Sequence, residues 1–438
     1  MNGNIEINVE RILKRIERPL KEGLSETGFL IGLYLEHLEE ASFLYEQRIS
    51  LLDDPQISWR DLEYFEGRFE AHIDALVVGE ELALCTCIQQ AIEGDFGEMH
   101  AAVRVLCRWN NFTLFKYIIE KGDLKDKKRV KAIGDALCHE MPVEWVDDFN
   151  LLSKNSKSPA LESILAHVLG YLRIKRTDII YSLLNESIDA DVISKCAWTL
   201  GRIGSLKDHD HLSFLFTQHS DSQIREQVGL ALLRLKDESI VYILKDIKEP
   251  WAYILIGISG LPQAQKTLIA NAINTKIQCP ENVLGIGLSG AVQGIDILLS
   301  ALENKKLSES ASQALFLITG VELYEESKLE EEVDTSENDI YSDDNLPSPI
   351  TITQLSRNTE KWKEYLEKNL KHLPQNGCVC FGAKRTEDKI ASVLRSECVP
   401  KNLRRYLCEL LAVMSQQENV LEFDCPVGRQ KMLLGLTN

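Results

Sequence analysis

Ile256-Gly257-Ile258-Ser259-Gly260 and Ile286-Gly287-Leu288-Ser289-Gly290 are near-copies, 30 residues apart. Leu317-Ile318-Thr319-Gly320 ends a third copy, so Gly260, Gly290 and Gly320 share one phase. Upstream, Leu200-Gly201-Arg202-Ile203-Gly204 lies 31 residues after Leu169-Gly170-Tyr171-Leu172 and 32 before Leu232-Leu233-Arg234-Leu235. A period of about 30 residues is the mark of stacked helix pairs, none of which can bury its apolar face alone. The repeats run from about 158 to 320. The step from Leu232 to Ile256 is only 24 residues, which predicts one shortened helix.

Each unit reads as two short helices. In 221–233, Ile224, Val228, Ala231 and Leu232 recur at helical spacing and form one apolar stripe. Lys236-Asp237-Glu238 breaks the pattern, and a second apolar run follows from Ile240 to Ile247. Pro159 after Ser158 and Pro280 after Cys279 suit first helical positions, where the missing N–H has no partner to lose. A glycine between paired helices suits a left-handed turn or a close approach of two backbones.

Outward from the repeats the pattern changes. Residues 5–157 are helical by period without a clean repeat. Leu30, Leu33, Tyr34, His37, Ala41, Leu44 and Arg48 fall on one helix face, and Leu62, Phe65, Phe69, His72, Ile73 and Leu76 on another. Residues 322–345 hold 11 acidic residues and one lysine, Lys328, and lead into Leu346-Pro347-Ser348-Pro349. That composition reads as a solvated linker. A last block offers helices near 359–373, 386–396 and 400–417. The expected architecture is all-α, in four parts: an N-terminal helical region (1–157), the repeats (158–321), an acidic linker (322–349) and a C-terminal helical block (350–438).

The whole chain has 438 residues, 44% of them hydrophobic and 26% charged, the balance of a folded protein. Its 49 basic and 67 acidic residues give a net charge of −18, which argues against binding phosphate backbones or an anionic membrane surface. Of that charge, −10 lies in 322–345 (one base less 11 acids), leaving −8 over the other 414 residues. Eleven cysteines without a secretory signal read as free thiols of a cytoplasmic protein. Val283 to Leu302 has the length of a membrane span with one charge, Asp296, but its glycines fit the repeat phase better. Gly285-Ile286-Gly287-Leu288-Ser289-Gly290 matches a dinucleotide-binding pattern without the strand that should precede it. Cys85 with Cys87 and Cys378 with Cys380 are too far apart in sequence for a compact zinc site. No cofactor, metal or catalytic residue is expected.

The residues singled out are His37, Glu39, Glu40, Arg48, Arg68, His72, Asp74, Trp362, Arg429 and Gln430. Histidines beside carboxylates suit acid–base chemistry, but both imidazoles lie on apolar stripes. The expectation is a polar network between N-terminal helices, its histidines and arginines met by carboxylates.

Asp191-Val192 with Ala197-Trp198-Thr199-Leu200-Gly201-Arg202-Ile203-Gly204, and Asp221 with Ile224-Arg225 and Ala231-Leu232, resemble HEAT-like repeats of the phycobilin-lyase type. That resemblance implies a right-handed α-solenoid. His37-Leu38-Glu39-Glu40-Ala41-Ser42-Phe43-Leu44 with Arg48, Arg68-Phe69-Glu70-Ala71-His72-Ile73-Asp74-Ala75-Leu76, and 314–323 look like an uncharacterised proteobacterial family with HEAT-like repeats. Trp362, Arg404-Arg405 with Glu409-Leu410, and Arg429-Gln430 fit its C-terminal block. Members of that family resemble components encoded beside type VI secretion spike and effector genes. The resemblance implies a non-enzymatic, protein-binding accessory factor: an effector adaptor or chaperone, or an immunity protein that neutralises a secreted toxin. The phycobilin-lyase likeness implies a lyase-like enzyme as the alternative. The acidic insert at 322–345 departs from the family.

Overall fold

Gly260, Gly290 and Gly320 take positive φ angles of 64°, 67° and 71°, the left-handed backbone that ends a helix. This computed structural model describes residues 7–18, 20–54, 56–274, 279–328, 351–415 and 421–436. In chain order the helices are α1 (Val9–Ile16), α2 (Glu26–Asp53), α3 (Leu62–Val78), α4 (Glu80–Glu93), α5 (Phe96–Arg108), α6 (Phe112–Lys121), α7 (Lys127–Glu140) and α8 (Val146–Ser156). Next come α9 (Pro159–Tyr171), α10 (Thr177–Glu186), α11 (Ala190–Ile203), α12 (His209–Gln218), α13 (Ser222–Arg234), α14 (Ile240–Leu244), α15 (Pro250–Ser259) and α16 (Pro262–Ile273). The remainder are α17 (Pro280–Ser289), α18 (Ile295–Leu302), α19 (Ser308–Thr319), α20 (Thr359–Asn369), α21 (Glu387–Arg395), α22 (Lys401–Met414) and α23 (Val427–Leu433). The shortened helix expected after Leu235 is α14, with five residues.

The chain divides into two compact units, Met1–Ile240 with Ser415–Asn438, and Val241–Met414. The cut falls inside the run of repeats rather than at a composition boundary, and the last two dozen residues belong with the first unit.

In the first unit α5, α7, α9, α11 and α13 form a row in which each packs on the next. Helices α8, α10 and α12 pack beside α9, α11 and α13. Small residues set the spacing within the row. A Cβ on Gly201 would sit 2.7 Å from the Ala231 Cα, so α11 and α13 touch backbone to backbone only because that position is glycine. Side-chain caps start the helices: Asp189 accepts from the Asp191 and Val192 amides, and Asp221 from those of Gln223 and Ile224. N-terminal to the row, α2 packs on α3, α4 and α5. Its buried stripe is Ile31, Leu38, Ala41, Leu44 and Tyr45. The core face is thus rotated slightly from the one expected, and His37 lies half-buried at its edge.

In the second unit α15, α17 and α19 form a row of the same kind, with α16 beside α15 and α17, and α18 beside α19. The stretch that could be mistaken for a membrane span is α17, a short 3-10 turn and α18. Among the described residues no helix is long and apolar enough to cross a membrane.

Two small antiparallel ladders interrupt the expected helices. Strand β1 (Tyr324–Lys328) pairs with β2 (Thr351–Leu355), Glu326 opposite Thr353, and β3 (Val379–Cys380) pairs with β4 (Ala383–Lys384). The linker expected over 322–349 therefore begins with a strand, and 329–345 lie outside the described residues. The C-terminal block is likewise not purely helical. Thr351-Ile352-Thr353 is β-branched throughout, which favours an extended backbone once a partner strand is present. Residues 378–385 cross the ends of the second unit's row. The Val379 amide donates to the Gly290 carbonyl (3.1 Å), and those of Phe381 and Gly382 donate to Leu317 and Ile318 (both 2.8 Å). Arg385 donates to the Leu288 carbonyl (2.7 Å). The carbonyls a helix leaves unpaired at its C-terminus are thereby satisfied by another part of the chain.

Candidate functional site

Arg173 follows the end of α9, Arg202 lies in the last turn of α11, and Arg234 is the last residue of α13. They occupy corresponding ends of three successive row helices, and all three guanidinium groups turn to one carboxylate, Glu422. Arg202 binds it in bidentate fashion, Nε to Oε1 at 2.8 Å and Nη2 to Oε2 at 2.9 Å. Arg173 Nη2 donates to Oε1 at 2.6 Å, and Arg234 Nη2 lies 3.9 Å from the same oxygen. The Trp198 ring lies under the Arg202 guanidinium, 3.3 Å from its centroid, and holds it flat. Burial pushes the Glu422 carboxyl up, but the charges of Arg202 and Arg234 and the Arg202 hydrogen bonds outweigh it and hold the group well below the usual carboxylate range.

Glu422 belongs to a segment, 421–430, that runs along the first unit. Arg48 Nη2 donates to the Asp424 carbonyl at 2.7 Å, while its Nε donates to Glu66 at 2.8 Å. Glu66 in turn accepts from the Val427 amide at 2.7 Å. Gln430 folds back onto the Phe423 and Cys425 carbonyls (3.2 and 2.7 Å) and fixes the bend into α23. Arg429 lies over the Tyr171 ring, 5.7 Å from its centroid, and Lys431 pairs with Glu63 at 2.6 Å. Leu421, Cys425 and Val427 are buried. Burial, then the nearby Glu422 charge, pushes the Asp424 carboxyl up to about 6.

A cavity of about 330 Å³ opens beside this segment, lined by Tyr45, Phe69, His100, Arg104, His139 and Pro426, among others. His100 stacks on Tyr45 with ring centroids 3.7 Å apart. It is 2% exposed, and neither ring nitrogen has a hydrogen-bond partner. Burial and then the Arg104 charge push the His100 and His139 imidazoles well below their ordinary range, so both are neutral at pH 7. His167, on α9, is lowered by burial and then by Lys195. Three neutral histidines thus sit on α5, α7 and α9. The cavity can shelter a small, largely apolar molecule and offers it a neutral imidazole.

The residues singled out in the sequence are not gathered at one point. His37 meets His72, Nδ1 to Nδ1 at 2.9 Å, so one ring donates and the other accepts. Arg68 reaches Glu40 at 3.4 Å on the surface, and Glu39 is exposed. Asp74 pairs with Arg108, which also binds Glu70 and Glu140 (2.6 Å to Glu140). Arg104 bridges the same Glu70 and Glu140 at 2.8 and 2.6 Å. Arg48, Arg429 and Gln430 do meet, at the 421–430 segment. Trp362 lies in the second unit, fully buried, its Nε1 donating to the Ser356 carbonyl at 2.7 Å.

Arg173, Arg202, Arg234 and Glu422 were not among the expected residues. Their signal was present: an arginine follows the glycine or leucine of each repeat, 29 and 32 residues apart. All 11 cysteines are free and eight are buried, and burial raises the Cys87 thiol to about 12, as for a small apolar side chain. Among the described residues no three His, Cys, Asp or Glu side chains are placed to hold a metal ion.

No protein-family model matches this chain, and no curated protein matches it.

Proposed function

We propose that this protein is a non-enzymatic, protein-binding scaffold built as a HEAT-like α-solenoid. The observation that carries this reading is the 421–430 segment. A row of helix ends holds it through a bidentate arginine, a main-chain carbonyl and a main-chain amide, which is how stacked helical repeats hold a polypeptide. By the resemblance of its N- and C-terminal motifs, the partner is a type VI effector or spike component in the cytoplasm, and this chain is its adaptor or chaperone. Crosslinked capture from the native host tests the reading: an effector or spike component is expected. Recovery of no specific protein, together with unchanged effector secretion on deletion, contradicts it.

The cavity favours a second reading, a lyase-like enzyme on the same scaffold, because it shelters a neutral imidazole that lacks a protein partner. Thermal shifts with small heteroaromatic compounds test it. A stabilisation lost in His100→Phe supports the enzyme, and no shift with any compound removes it.

A further inference from the structure

We propose that the arginine row at Arg173, Arg202 and Arg234 is a recognition site for an extended acidic segment of a partner protein, and that residues 421–430 are its resident occupant, displaced when the partner binds. This rests on the protein-binding reading and names the chemistry of its partner.

The two units handle a crossing segment differently. In the second unit, 378–385 is fixed mostly by main-chain hydrogen bonds to carbonyls at helix ends, Gly290, Leu317 and Ile318. Those bonds complete the helices and belong to the fold. In the first unit the segment is held by side chains. Arg173 and Arg202 hold a carboxylate, Arg48 holds a carbonyl, and Glu66 holds an amide. Carbonyl and amide are common to every polypeptide, so the one demand on sequence is a glutamate in register with the arginines. The planar forks of three guanidinium groups favour a carboxylate over a neutral side chain.

The resident is also an imperfect ligand. No side-chain donor among the described residues reaches the Asp424 carboxylate, and it sits near Glu422 and Asp135. A segment that keeps the glutamate and places a neutral residue at the Asp424 position fits better than the chain's own. Exchange of one glutamate for another leaves the arginines paired throughout, whereas departure of the resident alone leaves buried charge uncompensated.

The test uses the full chain with a protease site inserted between Ser415 and Leu421, and a fluorescent synthetic peptide with the sequence of 415–436. After cleavage the labelled peptide is expected to enter the site, at least 100-fold more tightly than in the uncut chain, where the tethered segment competes at high effective concentration. A peptide carrying Glu422→Gln is expected to bind at least tenfold more weakly than the parent, and one carrying Asp424→Asn at least as well. In the uncut chain, Glu422→Gln loosens the resident and is expected to raise peptide affinity at least fivefold. A cleaved segment that never exchanges, equal binding of the Glu422→Gln peptide, or loss of helical circular dichroism on release each overturns the proposal. If crosslinked capture recovers the same partner with wild type and Arg202→Ala in equal yield, this inference fails and the protein-binding reading stands. If capture recovers none with either, the reading itself fails.

Discussion

Glu422 is paired on both carboxylate oxygens, so replacing it with glutamine keeps the volume and removes the charge. A buried ion pair broken on one side costs about 3–5 kcal/mol, and Glu422→Gln is expected to lower the urea midpoint accordingly. An unchanged midpoint would show that the arginines are solvated in the absence of the carboxylate. The two acids of this segment respond to pH in opposite directions. Glu422 has a lowered pKa, so its contribution is present above its unfolded pKa of about 4.3 and fades as pH falls toward its folded value. Asp424 has a raised pKa, so its folded form is favoured below its unfolded pKa and loses that advantage as pH rises through about 6. Asp424→Asn is therefore expected to stabilise the protein at pH 8, by up to about 3 kcal/mol from a shift of about two units, and to make no difference at pH 3.5. Destabilisation at pH 8 would contradict this. His100, His139 and His167 are neutral through burial and neighbouring cations, and their ring proton shifts are expected to stay flat from pH 8 to 5.5. A titration midpoint near 6.5 in any of them would show that it is solvated.

The helices of the rows owe their spacing to residues that are hardly there. A valine at Gly201 has no room against Ala231, and Gly201→Val is expected to cost about 1–3 kcal/mol as overpacking. Gly290→Ala adds a side chain at φ 67°, at about 1–2 kcal/mol. Thermal melts of both variants check these values, and a Gly290→Ala chain as stable as wild type would deny that the left-handed turn matters. Such positions were legible in the sequence because glycine recurs in phase only where geometry forbids a side chain. The β1–β2 ladder was not legible. Its strands have five residues each, lie on either side of the acidic stretch, and have no alternation strong enough to announce them. The arginines were visible as letters of the repeat, but their common partner is 220 residues from Arg202, and no periodicity reports a contact of that range. His37 shows the same limit: the stripe placed it on a buried face, yet only the packing of α2 on α3 decides that it meets His72.

Of the two units, only the second is continuous in sequence. Residues 241–414 are expected to unfold cooperatively in urea as an isolated fragment, whereas 1–240 without 415–438 leaves Arg173, Arg202 and Arg234 without Glu422 and is expected to be the less stable piece. An isolated 241–414 with no cooperative transition would contradict the division. Composition pointed to a boundary at the acidic stretch, but contacts place the boundaries at Ile240 and Met414, because packing between successive row helices does not follow charge. The charge of −18 argues against phosphate backbones for the chain as a whole, while the clustered arginines are already committed to a carboxylate. The central claim, that this row of helix ends is a face for a protein partner, is tested most directly by hydrogen–deuterium exchange of the captured complex against the free chain. The account predicts new protection at the ends of α9, α11 and α13 with faster exchange in 421–436. Protection confined to other helices, with 421–436 unchanged, would contradict it.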